Sequence, residues 1–281
     1  MRVLVTGGGG QLGRESVPAL RAAGHEPIPL RHAELDISVP GTAERALAEH
    51  RPAAVLNCAA WTAVDAAEDQ PDAAMRANAV GPGLLAAACA AAGVRLCHVS
   101  TDFVFDGSAT APMDESTPPR PLGVYGASKL AGEEEVRRRC PDHQVARTAW
   151  LFGRQGPNFV LTMLRLARER GALRVVADQR GSPTWTGSLA PAVVRLLDRG
   201  ASGTYHLVNS GEASWHDLAR ATVEEAGLTG VRVEPIGTSE FPTRARRPAY
   251  SVLDPRAWRE LGEAPLPPWR EALRSYLLSA R

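Results

Sequence analysis

Short apolar runs alternate with amphipathic stretches through the first half of the chain. The runs are Val3–Thr6, Glu26–Leu30, Ala53–Ala59, Leu96–Ser100 and Val145–Thr148, each of strand length. Between them, helical spacing marks Gln11–Ala23, Thr42–His50, Pro71–Ala92 and Tyr125–Arg139. Strand and helix in turn predict an α/β protein with a parallel sheet covered on both faces and right-handed crossovers. Past about residue 150 the pattern loosens. A helix over Asn158–Arg170, a strand over Leu173–Val176 and helices near Leu189–Asp198 and Trp215–Ala226 still read clearly, and a short amphipathic helix begins at Trp269. Pro235–Leu253, rich in Pro, Thr and Arg, reads as a loop-dominated lobe. There is no internal repeat and no low-complexity linker, which favours two lobes sharing one core over two independent domains.

Composition narrows the field by exclusion. A net charge of +1 over 281 residues builds no basic field, so nucleic acid is not an expected partner. Glu133-Glu134-Glu135 followed at helical spacing by Arg137-Arg138-Arg139 reads as a solvated, salt-bridged helix face. The cysteines Cys58, Cys89, Cys97 and Cys140 form no C-x-x-C pair and have no histidine cluster beside them. No disulfide framework and no metal site is expected, and a reduced, cytoplasmic setting follows. The longest apolar run, Leu84 to Val94, falls short of the roughly 20 residues a bilayer requires. The chain opens directly on its first strand without a charged-then-apolar leader, so neither membrane nor export is expected.

The first strand runs straight into Gly7-Gly8-Gly9-Gly10-Gln11-Leu12-Gly13. Gly8, Gly10 and Gly13 satisfy G-x-G-x-x-G, and Gly7, Gly10 and Gly13 satisfy G-x-x-G-x-x-G equally well. Missing side chains let the backbone turn sharply against a pyrophosphate, and the helix that follows aims its free N–H groups at the anion. A glycine motif in the first strand–helix unit of an alternating chain predicts a Rossmann-type doubly wound sheet that binds NAD(P). The expected organisation is a dinucleotide-binding domain over 1–153 and a smaller, mainly substrate-binding C-terminal lobe over 154–281, some of whose segments return to the first core. At the end of the second strand stands Arg31, where a carboxylate would hold an unphosphorylated ribose; the guanidinium favours NADPH, while Glu34 and Asp36 keep NADH open.

Tyr125-Gly126-Ala127-Ser128-Lys129 puts a phenol and an ammonium on one helix face, a turn apart. A phenol titrating near 10 is a weak acid at neutral pH, and a neighbouring cation is expected to bring it into working range. The lysine is singular. Of 32 Lys and Arg residues, Lys129 is the one lysine. A lone lysine placed at random falls four positions after one of the 4 tyrosines in only ~1–2% of cases, and acid–base chemistry names this pairing in advance. The fourth strand ends in Ser100-Thr101-Asp102, where ligands of an open α/β sheet gather; a hydroxyl there can polarise a substrate carbonyl.

Together with Leu56–Ala60 (LNCAA), Thr62–Asp65 (TAVD), Ser100–Gly107 (STDFVFDG), Tyr125–Glu133 (YGASKLAGE), Arg147–Trp150 (RTAW), Asn158–Leu166, Asp178–Thr184 (DQRGSPT) and Arg247–Leu253 (RPAYSVL), these features resemble the extended short-chain dehydrogenase/reductase superfamily. Within it, the chain is similar over essentially its whole length to the dTDP-4-dehydrorhamnose reductase family. The glycine loop and the Tyr–Lys block identify only the superfamily; STDFVFDG, DQRGSPT and RPAYSVL are more specific. The resemblance implies NAD(P)H-dependent reduction of the C4 ketone of a dTDP-4-keto-6-deoxyhexose. It implies Tyr125 as proton donor, Lys129 as its partner and ribose contact, and Thr101 at the carbonyl. It assigns Gly10, Gln11 and Leu12 to the pyrophosphate, Asp36 and Ile37 to the adenine end, and Ala59, Ala60 and Trp61 to the cofactor's middle. Asp102 and Trp150 would contact the sugar nucleotide, with Arg247 on its diphosphate.

Two departures from related patterns shape the expectation. Dehydratases on this scaffold carry Thr-Asp-Glu, whereas Phe103 follows Thr101-Asp102 here, which favours simple reduction. Some reductases bind magnesium through glutamates at a dimer interface; Glu15 matches one, but Gly187 stands where another is expected, so the homodimer left open by the resemblance is not expected to be metal-bridged. The competing readings are a 4-ketoreductase for another deoxysugar of an antibiotic glycoside and a non-catalytic NADP-binding regulatory subunit, against which intact Thr101, Tyr125 and Lys129 speak.

Overall fold

A computed structural model describes residues 1–279. Ala280 and Arg281, the end of the expected substrate lobe, lie outside the described residues. Six parallel strands form the main sheet: β1 (Arg2–Thr6), β2 (Glu26–Leu30), β3 (Ala54–Asn57), β4 (Arg95–Thr101), β5 (His143–Thr148) and β6 (Gly203–His206). Their order is β6-β5-β4-β3-β1-β2. The chain steps from β1 outward to β2 and then back across to β3, so the crevice beyond the carboxyl ends of β1 and β3 is the topological switch point where such sheets bind ligands. Pro27 and Pro29 are accommodated because β2 is an edge strand, with no further neighbour to receive an N–H.

The alternation of β1 divides the core in two. Val3 and Val5 point to one face with Leu56, Leu12 and Leu20, and there they meet Leu189, Val193, Leu196 and Leu197. Leu4 points to the other with Val55, Leu96, Val145, Ile37, Leu85 and Val136. The first of these clusters is closed by the helix Thr186–Arg199, and the sheet is extended by β6, so segments from the second half complete the first half's core. The remaining lobe packs the helices Phe159–Arg170, Trp215–Glu225 and Trp269–Ser279 around Phe152, Leu218 and Tyr276. Asn158 caps the first of these helices, and Ser214 and Asp217 form a reciprocal capping box on the second. No described helix is long and apolar enough to cross a membrane.

Two sequence expectations change on folding. The stretch read as one helix over Pro71–Ala92 is preceded by a further helix, Val64–Asp69, and is interrupted by a π-helical turn, Arg76–Val80. Pro82 has no N–H for the carbonyl of Asn78 four residues earlier, and its ring pushes that carbonyl outward. Gly132 receives it: any Cβ at 132 would strike the Asn78 oxygen. The run Glu133–Arg139 is likewise only half solvated. Glu135 does hold Arg138 and Arg139 at the surface. Glu133 is buried instead, accepting Arg147 Nε at 2.8 Å and Arg147 Nη2 at 2.7 Å, with Arg137 Nη2 at 2.7 Å. Glu133 continues the inward face of Tyr125 and Lys129 at spacings of four, and its main partner lies on β5, where local spacing could not reveal it.

Candidate active site

The glycine loop is packed backbone against backbone. Gly7 is left-handed (φ 61°), and a Cβ on it would meet the Ala59 backbone; a Cβ on Gly13 would strike the Gly7 carbonyl. The helix that follows, Gln11–Ala22, starts at Gly10 without a side-chain cap, leaving its first turn around Gln11 and Leu12 without a side-chain partner for its N–H groups. This cradle fits a pyrophosphate. Arg31 is exposed, its stem passing Gly9, while Glu34 is engaged by the Arg31 N–H at 2.8 Å. Asp36 accepts the N–H and hydroxyl of Ser38 at 2.9 and 2.7 Å. Ile37 turns its side chain inward beneath Gly81, so its backbone is what it offers a ligand. Beyond β3, the loop through Ala59, Ala60 and Trp61 is tied down by Asn78: Trp61 N–H donates to Asn78 Oδ1 (2.8 Å), and Asn78 Nδ2 donates to the Trp61 carbonyl and to Ser128 Oγ, both at 3.0 Å.

Thr101, at the end of β4, donates to Asp102 Oδ1 at 3.0 Å and accepts the Phe103 N–H at 3.2 Å. Tyr125 lies on the helix Val124–Arg139 and meets Phe103 edge-on at 5.5 Å. Burial pushes the Tyr125 phenol up to about 12, against a smaller downward pull from the neighbouring Thr101 hydroxyl and with a further push from Asp102. This corrects the expectation that the ammonium brings the phenol toward neutrality in the chain alone. Lys129 Nζ is turned to the Val99 carbonyl at 2.7 Å, and burial brings the lysine itself down to about 8. A phenol held up in this way is fully protonated at neutral pH, which is the state a proton donor requires.

On the substrate side, Asp102 is buried and accepts Ser251 Oγ at 2.6 Å, linking β4 to the RPAYSVL segment. Burial raises the Asp102 carboxyl to about 6 against the hydrogen bonds of Ser251 and Thr101. Below its unfolded value of 3.8 both states are protonated and nothing is lost; above about 6 the folded state bears the whole cost of the buried anion. Asp102→Asn is therefore expected to gain stability relative to the native chain as pH rises from 4 to 7, by at most about 3 kcal/mol. Melting curves at both pH values check this, and a stability difference independent of pH contradicts it.

Arg247 Nη2 donates to Asp65 at 2.7 Å, its guanidinium lies 5.8 Å from the Phe103 ring centre, and its buried Nη1 has no partner among the described residues. Trp150 has an unusual backbone (φ 47°) and stacks flat on Trp215 at 3.5 Å over Gly181. Gly187 lies against the Trp185 ring, which leaves no room for a longer side chain there. The structure thus brings Thr101, Asp102, Tyr125 and Lys129 together, with Arg247 across Phe103, while Trp150 stands between the lobes, stacked on Trp215 and packed against the cluster of Val104 and Leu253 that follows Asp102. Sequence reasoning missed Asn78, Asn57, His98, Glu133 and Ser251. The available signals were an amide inside an alanine-rich helix and polar residues inside apolar strands, both unfavourable unless partnered.

Comparison with known proteins agrees with this layout. The RmlD substrate binding domain profile matches residues 1–281. A dTDP-4-dehydrorhamnose reductase of Streptomyces griseus is 45% identical over 278 residues, covering 97% of this chain and 91% of its own. A probable dTDP-4,6-dihydroxy-2-methyloxan-3-one 4-ketoreductase of Streptomyces antibioticus is 45% identical over 98% of this chain and 94% of its own. The solved structure of Bacillus anthracis dTDP-4-dehydrorhamnose reductase in complex with NADP superposes with a TM-score of 0.96 at 38% identity, covering 99% of both chains. With its glycine loop, its Tyr125–Lys129 helix and a family match running from the first residue to the last, the chain belongs to the RmlD substrate binding domain family.

Proposed function

We propose that this protein reduces the C4 ketone of a dTDP-4-keto-6-deoxyhexose, converting dTDP-4-dehydro-β-L-rhamnose to dTDP-L-rhamnose. The observation that carries the reading is the convergence of buried Thr101, at the end of β4, with Tyr125 and Lys129 on one helix face, at the strand ends that adjoin the glycine loop. Gly7, Gly10, Gln11, Leu12 and Gly13 hold the pyrophosphate of the dinucleotide, Asp36 and Ile37 its adenine end, and Ala59, Ala60 and Trp61 its middle. When bound and reduced, that dinucleotide supplies the hydride. As the ketone is reduced, Tyr125 gives its proton to the alkoxide oxygen developing at C4, a stronger base than the phenolate left behind. Thr101 orients that oxygen, and Lys129 holds a ribose hydroxyl. Asp102 and Trp150 border the sugar nucleotide, and the unpartnered Nη1 of Arg247 suits a diphosphate oxygen.

NADPH is the proposed cofactor over NADH. Arg31, exposed beside Gly9, supports it, as does the relative solved with NADP. Residues 1–153 form the cofactor side and 154–281 mainly the substrate side, and the four free cysteines suit a reducing, cytoplasmic setting. A second reading, reduction of a different dTDP-ketosugar, is favoured by the Streptomyces antibioticus relative, since pocket shape rather than the catalytic residues sets stereochemistry. The decisive assay follows nicotinamide oxidation with dTDP-4-dehydro-β-L-rhamnose and determines the C4 configuration of the product. Turnover to dTDP-L-rhamnose is expected. Cofactor binding without turnover on any ketosugar nucleotide would revive a regulatory role.

A further inference from the structure

Beneath Lys129 runs a line of buried polar groups to which the reaction assigns no part. Thr6, Asn57 and His98 lie on the adjacent strands β1, β3 and β4 with no solvent exposure, and Lys129 meets them from its helix. The direction of the hydrogen bonds is set from one end. The Ala59 backbone N–H can only donate, and it meets Asn57 Oδ1 at 3.1 Å, where the Thr6 hydroxyl also donates at 2.6 Å. The amide nitrogen is then the atom 2.9 Å from His98 Nδ1. An amide NH2 only donates, so Nδ1 is the acceptor and carries no hydrogen. The neutral ring keeps its one hydrogen on Nε2, the atom 3.5 Å from Lys129 Nζ.

An ammonium also only donates. Two donors facing each other disfavour the charged lysine, whereas a neutral amine turns its lone pair to Nε2–H and still donates to the Val99 carbonyl at 2.7 Å. Protonating the ring brings no relief, because it would set a hydrogen against the Asn57 amide; burial, Lys129 and Arg137 together hold His98 well below its ordinary value. Burial is the largest influence on Lys129 and lowers it; two other groups act on it as well. Glu133, one turn along its own helix, favours the ammonium, and the Cys58 thiol at the end of β3, pushed up to about 12 by burial, stays neutral at working pH.

We propose that His98 is a positioning residue for Lys129: the Asn57 amide locks its tautomer, and the donor edge so presented lowers the proton affinity of the lysine beyond what burial does. The lysine then changes charge just above neutrality, and its hold on a ribose hydroxyl weakens across that range. This rests on the role given to Lys129 under Proposed function, but it can be tested without turnover. Because the chain has one lysine, labelling lysine with 13C at Cε in the untagged protein gives a single resonance whose titration belongs to Lys129.

The expected midpoint in the cofactor-free protein is about 8. Histidine labelled with 15N should place the His98 hydrogen on Nε2 throughout the neutral range. His98→Phe keeps the bulk and removes the donor; the lysine midpoint should rise by about one pH unit, with the alkaline limb of kcat/KM moving up by the same amount. A hydrogen found on Nδ1, or a midpoint that His98→Phe leaves in place, overturns the proposal. If the variant does not fold, the histidine spectrum of the native chain decides alone. Should the resonances behave as expected while Tyr125→Phe keeps full activity, the catalytic reading fails and this one stands.

Discussion

Tyr125→Phe is expected to lower kcat at least ~10²-fold with little change in cofactor affinity, since general acid catalysis contributes about 10²–10⁴. The substitution removes one oxygen from a buried ring whose other contacts, notably the edge-on packing with Phe103, are apolar. The fold should therefore survive. Because burial holds the phenol at about 12, it remains protonated throughout the range in which the enzyme can be assayed. No alkaline loss of activity near neutrality is attributed to it, and any such limb belongs to another group. Single-turnover reduction, native against variant, is the measurement. Equal rates would remove Tyr125 from the mechanism.

Arg147→Met is expected to cost about 3–5 kcal/mol of stability, the usual consequence of stripping one partner from a buried ion pair. Glu133 would keep only Arg137, and the cation–π contact of Arg147 with Phe105 at 5.2 Å would go with it. For a chain of this size the melting temperature should fall by roughly 10 °C. The pH dependence carries a sign. Arg147 and Arg137, against the opposing effect of burial, hold the Glu133 carboxyl below its ordinary value. Its stabilisation is therefore complete above the unfolded value of 4.5 and is lost as pH falls through the lower folded value, so the gap between native and variant narrows in acid. The double replacement Glu133→Leu with Arg147→Met should recover much of the loss. A melting temperature that hardly moves in the single variant would mean the pair is not structural.

Much of the site is legible along the chain because its determinants are local. Gly7–Gly13 carry their meaning in the absence of side chains right after a strand, and Tyr125 and Lys129 share a helix face by spacing alone. Strand alternation in β1 predicts two covered faces, and both are found. What stayed hidden depends on partners far apart in sequence. Glu133 looked solvated because its nearest arginines are on its own helix, and only β5 supplies the one that draws it inward. The line from Thr6 through Asn57 to His98 is invisible until β1, β3 and β4 lie side by side.

Period and motif thus determined the alternating α/β architecture, the tight glycine turn after β1 and the shared helix face of Tyr125 and Lys129, since each is written within one turn or one strand–helix unit. The tertiary structure alone decided which ionisable groups are dry, and with that how strongly each holds its proton. Desolvation depends on everything packed around a group. For Tyr125, Lys129 and Asp102 it outweighs the neighbours that the primary structure places beside them.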